Sequence, residues 1–581
     1  MRLSGLFAAL VLLGGCSLLP GKPEPAPAPA AVESPRPQGF VSAANPLAVE
    51  AGLKVLREGG TAVDAAVAVQ AVLGLVEPQS SGLGGGAFMV HYQARTGEVT
   101  AYDGRETAPS GATPDMFVGP DGKPLGFVEA ILSGRSTGVP GAVAMLAKAH
   151  RDHGARPWSG LFGDAERLAD EGFIVSPRLA AIIASPRVPE NAAPDVIAYF
   201  TRPDGAKYAA GDRLRNPAYA DTIRALARTG PQALYEGPLA EAIAARTRAA
   251  PLPGTLTAQD IAVYRPRVGK ALCRPFRVYV VCTAPPPSSG VSLLQALLML
   301  ERTDIADRSP ADPVAWVRLA EAERLMYADR DRFVGDWPFV KTPVDGLLDP
   351  AYVASRAALI GDRAGPAPRH GNPPGAGVFA PDRTLEPAGT SHFVIVDRWG
   401  NVVSMTTTVE STFGSGRMVG GFFLNNQLTD FNFAPKDPDG VVAANSVAPG
   451  KRPRSSMAPV IVLDRQGRFV AALGSPGGSS ILSYNLKALI GVLDWELSMQ
   501  QAFDLPNLVA RGDRFSSEPA RYPAGVVDGL KARGVAFTGV GGENSGLHGV
   551  IVRPGGVYEG GADDRREGVA KTLATASGDG P

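Results

Sequence analysis

The sequence predicts an α+β fold in which strands and buried helices lie in stacked layers, and three observations carry that expectation. Short runs rich in β-branched and aromatic residues alternate with turn residues at 88–92, 99–103, 393–396 and 402–409. The stretches 61–76 and 293–300 have helical composition and are apolar on nearly every face, which places them inside a core. With 581 residues, 45% of them apolar, the chain can bury one large core or two ordinary ones.

Taken in order, Asn45 and Pro46 form an N-cap and first-turn pair, Ala48, Ala51 and Val55 recur at helical spacing, and Gly59-Gly60 ends that helix. Thr61 and Asp64 read as a capping box that starts the apolar helix to Val76. The Gly-rich run 81–86 follows a helix rather than a strand, so it lacks the setting of a phosphate-cradling loop and reads as a tight passage of backbone. The strands 88–92 and 99–103 deliver Arg105 to a strand end. Residues 138–250 are helical with charged faces and Pro breaks, and His150-x-x-His153 within them lacks a third metal ligand, so a solvated helix face is expected. Cys273 and Cys282 flank a strand-like segment and are either paired across a hairpin or two buried free thiols. Helices are expected at 293–300 and, amphipathic, at 315–327, and the Pro/Gly-rich run 362–388 reads as a surface loop. Further strands are expected at 421–426, 469–473, 535–537 and 550–552, and helices at 479–490 and 500–504. Gly477-Gly478 sits at a strand-to-helix corner, where two backbone N–H groups can converge on an oxyanion or simply form a turn.

Lys+Arg and Asp+Glu balance at 57 each, which leaves no electrostatic footprint for nucleic acid or an anionic membrane surface. The N-terminus carries an address instead: Arg2, an apolar run 6–13 too short to span a bilayer, then Leu13-Gly14-Gly15-Cys16-Ser17. This reads as a bacterial secretory signal ending in a lipobox-like motif, with Cys16 the lipidated residue and membrane anchor. A plain signal peptide with an incidental Cys is the other reading. The Pro/Ala tract 20–37 fits an extended tether, and Ser17 points to the outer membrane, hence a lipid-anchored periplasmic location.

The chemistry concentrates in residues 389–416. Asp397 to Asn401 carry turn residues, so the flanking runs form a β-hairpin in which Thr390 faces Thr408, a bulge at Gly400 being the alternative register. A Thr hydroxyl is a weak nucleophile until a base activates it. One solution makes Thr the first residue of a chain, so that its own α-amine is the base and a second hydroxyl holds both in place. Gly389-Thr390 suits the required cut, since Gly389 has no side chain to shield its carbonyl. On this segment alone, two threonines in an ordinary strand pair explain the pattern as well.

The wider sequence separates these readings. Thr390-Ser391-His392-Phe393, Phe413-Gly414-Ser415-Gly416, Leu424-Asn425-Asn426-Gln427 with Asp430, Arg452-Pro453-Arg454-Ser455-Ser456-Met457 and Gly474-Ser475-Pro476-Gly477-Gly478 resemble, in this order, the small-subunit motifs of γ-glutamyltranspeptidases. Asn45-Pro46-Leu47-Ala48, Gly59-Gly60-Thr61-Ala62-Val63-Asp64, Glu77-Pro78, Ser81-Gly82-Leu83-Gly84-Gly85-Gly86 and Asp103-Gly104-Arg105-Glu106 resemble those of the large subunit. The resemblance implies the four-layer αββα sandwich of N-terminal-nucleophile hydrolases, with a helical region in the large subunit. It divides the chain into a signal (1–16), a tether (17–40), a large subunit (41–389) and a catalytic small subunit (390–581), released by self-cleavage between Gly389 and Thr390 and retained as a heterodimer.

The resemblance further implies Thr390 as nucleophile, Thr408 as its orienting partner, and Gly477 and Gly478 as oxyanion donors. Arg105, Ser455 and Ser456 match positions that bind a substrate α-carboxylate, and Gln427 and Asp430 those near its α-amino group. Glu410 departs from the pattern, standing where the well-studied transpeptidases have Asn. The lid stretch between Phe431 and Lys451 contains no Tyr or Trp, so a lid gated by such a residue is not expected and an open cleft is. The expected activity is hydrolysis of γ-glutamyl amides such as glutathione, in preference to transfer to an amine acceptor. The alternatives are a glutaryl or cephalosporin acylase of the same superfamily and an uncut, inactive binding lipoprotein. No metal or organic cofactor is implied.

Overall fold

The computed structural model describes residues 39–382, 384–387, 389–540 and 545–573. The signal, Cys16 and most of the 17–40 tether lie outside these residues.

Two antiparallel sheets stack face to face. The first runs, edge to edge, Val569–Leu573, Gly39–Ala43, Gly389–Asp397, Val402–Glu410, Gly86–Gln93, Glu98–Gly104 and Arg267–Lys270. The second runs Val557–Ala562, His548–Arg553, Phe469–Gly474, Val460–Asp464, Tyr279–Thr283 and Leu272–Phe276. The chain passes between them at both edges, from Lys270 to Leu272 and from Ala562 to Val569, which ties the layers together.

The alternation of side chains along each strand explains the layering. In Gly389–Asp397, Phe393 and Ile395 point to one face and pack with helices Pro46–Arg57 and Ala62–Val76. Val394 and Val396 point to the other and meet Ile461, Leu463, Ala472 and Val550 of the second sheet. The outer face of that second sheet is covered by Gly290–Leu300, Pro313–Phe333 and Ile481–Leu493. Each strand of the central hairpin is buried at every position, so its sequence is apolar or uncharged almost throughout rather than alternating. Fully burying one such Val or Ile side chain is worth about 1.5–3 kcal/mol.

The local signals behave as expected where they are local. Asn45 accepts from the Leu47 N–H, with Pro46 in the first turn, and Thr61 and Asp64 form a reciprocal capping box. The hairpin turns over Asp397–Asn401 without a bulge at Gly400, and Thr408 pairs with Thr390. The register shift falls instead between Thr408 and Glu410. Cys273 and Cys282 are joined by a disulfide across the hairpin of Leu272–Phe276 and Tyr279–Thr283.

Four expectations are corrected. The 421–426 run is a strand only at Phe422–Phe423, because Asn425 and Asn426 leave the ladder to bond Gly84, Gly138 and Glu410. Residues 535–537 are irregular; only Val535 of the three is buried, and a two-residue strand follows at Gly539–Val540. Helix Pro313–Phe333 is buried on most of its faces rather than amphipathic, since it packs between helix Gly290–Leu300 and the C-terminal elements Leu508–Arg511 and Val526–Ala532. His150 and His153 do not form a solvated face: the His153 ring stacks on buried His91 at 4.0 Å, and His150 Nε2 lies 3.4 Å from Asp64.

Candidate active site

Thr390, Thr406 and Thr408 share with Val394 the face that looks into the space between the sheets, and the hydroxyls gather at the end of that space. Thr390 Oγ1 donates to Thr408 Oγ1 at 3.1 Å, and Thr408 Oγ1 donates to the Gly389 carbonyl at 2.7 Å. The register shift makes this possible. It carries Glu410, at φ 82°, out of the regular ladder so that its N–H donates to Thr408 Oγ1 at 2.7 Å. Beneath the strand end, the Gly84-Gly85-Gly86 passage lies so close that a Cβ on Gly85 would stand 1.9 Å from the Thr408 carbonyl, which bears out the reading of that run as close-packed backbone.

A small cavity of about 20 Å³ adjoins these hydroxyls and is lined by Thr390, Thr408, Arg105, Glu410, Gln427, Asp430, Ser455, Ser456 and Gly478 among others. Nine of the ten residues expected to carry catalysis or substrate binding therefore meet in one place. The tenth, Gly477, is next in chain to Gly478, with its Cα against the Tyr484 ring.

The polar groups are engaged with one another. Arg105 donates to Asp430 at 2.5 Å and to the Pro453 and Arg454 carbonyls, and Gln427 donates to Asp430 at 2.7 Å. Burial raises the pKa of Asp430 despite Arg105, and burial together with the nearby Asp430 carboxylate holds Glu410 well above the usual carboxylate range. Asn426 donates to Glu410 at 2.8 Å. Glu106, behind Arg105, is pushed up to about 8 by burial.

Among the described residues, no side chain is placed to serve Thr390 as a base. The neighbouring His392 is buried, held well below the normal imidazole value by desolvation, and its Nδ1 faces Thr406 Oγ1 at 2.8 Å rather than Thr390. Asp430 is committed to Arg105 and Gln427, and Glu410 accepts from Asn426. A Thr nucleophile in this setting needs a base of its own, which an α-amine at Thr390 would supply.

Such a threonine at the head of a buried strand, between two stacked sheets, is matched by the comparisons with known proteins. A sequence profile described as Gamma-glutamyltranspeptidase matches residues 48–573. The chain belongs to the γ-glutamyltranspeptidase family. A relative described as a glutathione hydrolase proenzyme, from Bacillus subtilis (strain 168), is 35% identical over 547 residues, covering 92% of this chain and 91% of its own. Among solved structures, a cephalosporin acylase from Bacillus halodurans superposes with TM-score 0.78 at 26% identity, covering 95% and 98% of the two chains. The γ-glutamyltranspeptidase of Helicobacter pylori superposes with TM-score 0.53 at 33% identity, covering 56% of this chain and 93% of the solved one. The αββα layering expected from the motifs is the fold of this family member.

Several groups around the cavity escaped the sequence reading. Arg566, from the C-terminal part, donates to the Thr390 carbonyl at 2.8 Å. Arg330 and Arg454 converge on Glu386, whose side chain is 4% exposed and which lines the cavity. The 362–388 run is thus not wholly a surface loop: Asp382, Thr384 and the Glu386 side chain fold inward, and Gly389 is buried. Their partners are 56 to 176 residues away in sequence, which no local pattern reveals; the one available signal was a lone Glu in a Pro/Ala/Gly-rich setting.

Proposed function

We propose that the chain is a proenzyme that cuts itself between Gly389 and Thr390 and then hydrolyses γ-glutamyl amides, glutathione among them, through Thr390. The observation that carries this reading is the hydroxyl series Thr390 Oγ1 to Thr408 Oγ1 to the Gly389 carbonyl, at 3.1 and 2.7 Å. In the first reaction Thr390 Oγ attacks the Gly389 carbonyl carbon. Thr408 accepts the departing proton while its own hydrogen polarises the carbonyl oxygen. The C–N bond to Thr390 breaks, the nitrogen takes up a proton, and an ester joins Gly389 to Thr390 Oγ. Water hydrolyses that ester, leaving a Gly389 carboxylate and a Thr390 with a free amine and hydroxyl.

The same amine then accepts the Oγ proton as Oγ attacks the substrate amide. Gly477 and Gly478 offer backbone N–H groups to the tetrahedral oxyanion, each such donor worth about 3 kcal/mol. The leaving amine takes the proton, and the acyl-Thr390 ester passes to water or to an acceptor amine. Arg105, Ser455 and Ser456 take the substrate carboxylate, and Gln427, Asp430 and Glu410 its ammonium. The large subunit is 41–389 and the small one 390–581. The signal (1–16), lipidation of Cys16 and the tether (17–40) would hold the heterodimer on the periplasmic side of a membrane, most simply the outer one.

One observation favours a second reading, an acylase taking glutaryl amides with bulky leaving groups. On the outer side of Thr384-Leu385 lies an open cavity of about 710 Å³, walled by Leu125, Phe127, Pro381 and Phe433. The lid stretch contributes Phe433, which stacks on Phe117 at 4.5 Å away from Thr390 and leaves that space open. Release of p-nitroaniline from γ-glutamyl and glutaryl anilides, with Thr390→Ala as control, tests all readings. Turnover of the γ-glutamyl compound with a fragment beginning Thr-Ser-His-Phe is expected. Turnover of the glutaryl compound alone would move the assignment to the acylase, and an intact 60.3 kDa chain without activity would leave only a binding protein.

A further inference from the structure

Positive charge gathers at one end of the sandwich, the end away from Thr390. Three hairpin tips lie side by side there: 94–97 and 397–401 of the first sheet and 465–468 of the second. The Ala94 N–H donates to Asn401 Oδ1 at 3.0 Å, and the Tyr92 hydroxyl donates across to the Gly467 carbonyl at 3.1 Å. Helix Pro46–Arg57 returns to the same end, where a Cβ on Gly59 would stand 3.5 Å from the Arg398 guanidinium. The tips present Arg95, Arg398, Arg465 and Arg468, and the helix presents Arg57, all of them exposed.

The chain's 57 Lys+Arg and 57 Asp+Glu balance in total, but the total hides this local excess, and it is the local field that a surface meets. Of the acids at this end, Asp464 is bonded to Arg468 at 2.6 Å, Glu58 to Arg156 at 3.3 Å, and Glu98 stands exposed. Arg398 lies over the Trp399 ring at 4.4 Å, and Arg465 donates to the Arg277 carbonyl at 3.0 Å. Neither these two nor Arg57 and Arg95 pair with a carboxylate among the described residues. Trp399 is 45% exposed, and Val278, in the turn next to Arg465, is 56% exposed. An exposed indole among unpaired guanidiniums suits the headgroup level of a bilayer, where the ring meets the apolar boundary and the cations meet phosphates.

The chain enters the fold at this same end. Gly39 pairs with Asp397 on one side and with Leu573 on the other, so residues 1–38, Cys16 among them, join the sandwich beside the 397–401 tip. The 22 residues between Cys16 and Gly39 can reach about 75 Å when extended, too much slack for an anchor to orient the enzyme by itself. Thr390 stands seven residues before Asp397 on one strand, which places it about 23 Å from the tips. We infer that this end is a docking surface for anionic lipid, on which Arg57, Arg95, Arg398, Arg465 and Trp399 meet the membrane while the Thr390 cavity is held on the side facing water. The inference extends the anchoring reading above: a lipid on Cys16 supplies nearness, and the tips supply orientation.

The test mixes the purified full chain with vesicles of phosphatidylcholine alone, or with about 30% phosphatidylglycerol added, and measures the bound fraction by sedimentation. The neutral vesicles read whatever residues 1–38 contribute, which every variant shares. Partition to the anionic vesicles should be stronger by at least about 25-fold, the share of two arginines at roughly fivefold each, and should fall to the neutral value in about 1 M salt. Arg95→Glu combined with Arg398→Glu should bring it within about threefold of the neutral vesicles. Brominated anionic lipid should quench tryptophan emission of the wild type and lose most of that effect on Trp399→Phe. Self-cut enzyme on the vesicles should keep its rate on the γ-glutamyl anilide within about twofold, because Thr390 faces away. Equal partition to both kinds of vesicle, or a double variant that binds as wild type does, would overturn the proposal. Binding to heparin with none to the anionic vesicles would overturn it too, by giving the tips a soluble polyanion as partner. Intact mass of protein recovered from cells reports lipid on Cys16 separately: its absence would strike the anchoring reading alone, while the vesicles decide the surface.

Discussion

Thr408→Val is the sharpest probe of the hydroxyl series, because Val keeps the branched shape that a fully buried strand position needs and deletes a single oxygen. Three hydrogen bonds meet on that oxygen: from Glu410 N–H at 2.7 Å, from Thr390 Oγ1 at 3.1 Å, and to the Gly389 carbonyl at 2.7 Å. The ground-state cost falls on three groups that lose a partner, the Glu410 N–H, the Thr390 hydroxyl and the Gly389 carbonyl, at about 1–3 kcal/mol for a buried group left unsatisfied, so the variant's fold is checked beside its cutting. The larger effect falls on the cut. The bond to the Gly389 carbonyl strengthens as that oxygen gains charge, and losing such a donor costs about 10²–10³ in rate, or roughly 3–4 kcal/mol. Purified precursor incubated at neutral pH and followed by denaturing gel and intact mass should show self-cutting slowed by at least about 100-fold, with circular dichroism unchanged. Thr408→Ser, which restores the oxygen, should recover to within about tenfold of wild type. A Val variant that cuts within about threefold of wild type would refute the role of this hydroxyl.

Two further outcomes follow from the buried groups. Glu106 is raised to about 8 by burial, and neither of its carboxylate oxygens meets a hydrogen-bond partner among the described residues. A raised acid means the native state holds a proton that the unfolded chain has released, so stability should fall as pH rises from about 4.5 to 8, by roughly 3 kcal/mol from this group. Glu106→Gln should flatten that slope in urea titrations at pH 5 and 8, and an unchanged slope would assign the loss elsewhere. The Cys273–Cys282 disulfide closes a short loop, nine residues apart, at the edge of the second sheet. Replacing both by Ser should lower the urea midpoint by the equivalent of about 2–3 kcal/mol while leaving the self-cutting rate within about twofold, and a matching loss of cutting would show the edge strand to be coupled to the site.

The parts of this molecule that were legible in its sequence are those fixed by neighbours in the chain. The caps at Asn45 and Thr61, the hairpin turn at Asp397–Asn401 and the facing of Thr390 by Thr408 all depend on spacing over a few to twenty residues, where period and turn chemistry are decisive. The motifs then gathered nine residues that do share one cavity. What was not legible depends on distance. Arg330 arrives from a long buried helix, Arg454 from an irregular segment and Arg566 from near the C-terminus, and each looks like one arginine among many until the fold aims it. The 362–388 run misled for the same reason: Pro and Gly correctly predicted the absence of regular structure, but the burial of Asp382, Thr384 and the Glu386 side chain is set by arginines elsewhere. At 421–426 the aromatic pair made a strand look longer than it is, because side-chain amides of Asn425 and Asn426 satisfy backbone groups that a ladder would otherwise use.

The geometry also explains why such an enzyme would be silent before it is cut. Among the described residues no side chain stands as a base for Thr390 in the uncut chain: its nitrogen is tied up in the bond to Gly389, His392 faces Thr406, and Glu410 is engaged by Asn426. The space beside Thr390 is about 20 Å³, room for a single water and no substrate. One event relieves both restraints. On the proposed cut, breaking the Gly389–Thr390 bond would free the amine and, at the same stroke, the backbone that lies on the Gly478 corner, so that activation and opening would be one chemical step. Because the hydroxyl series already points at the Gly389 carbonyl, the precursor, on this proposal, would be both the inhibited form of the site and its first substrate.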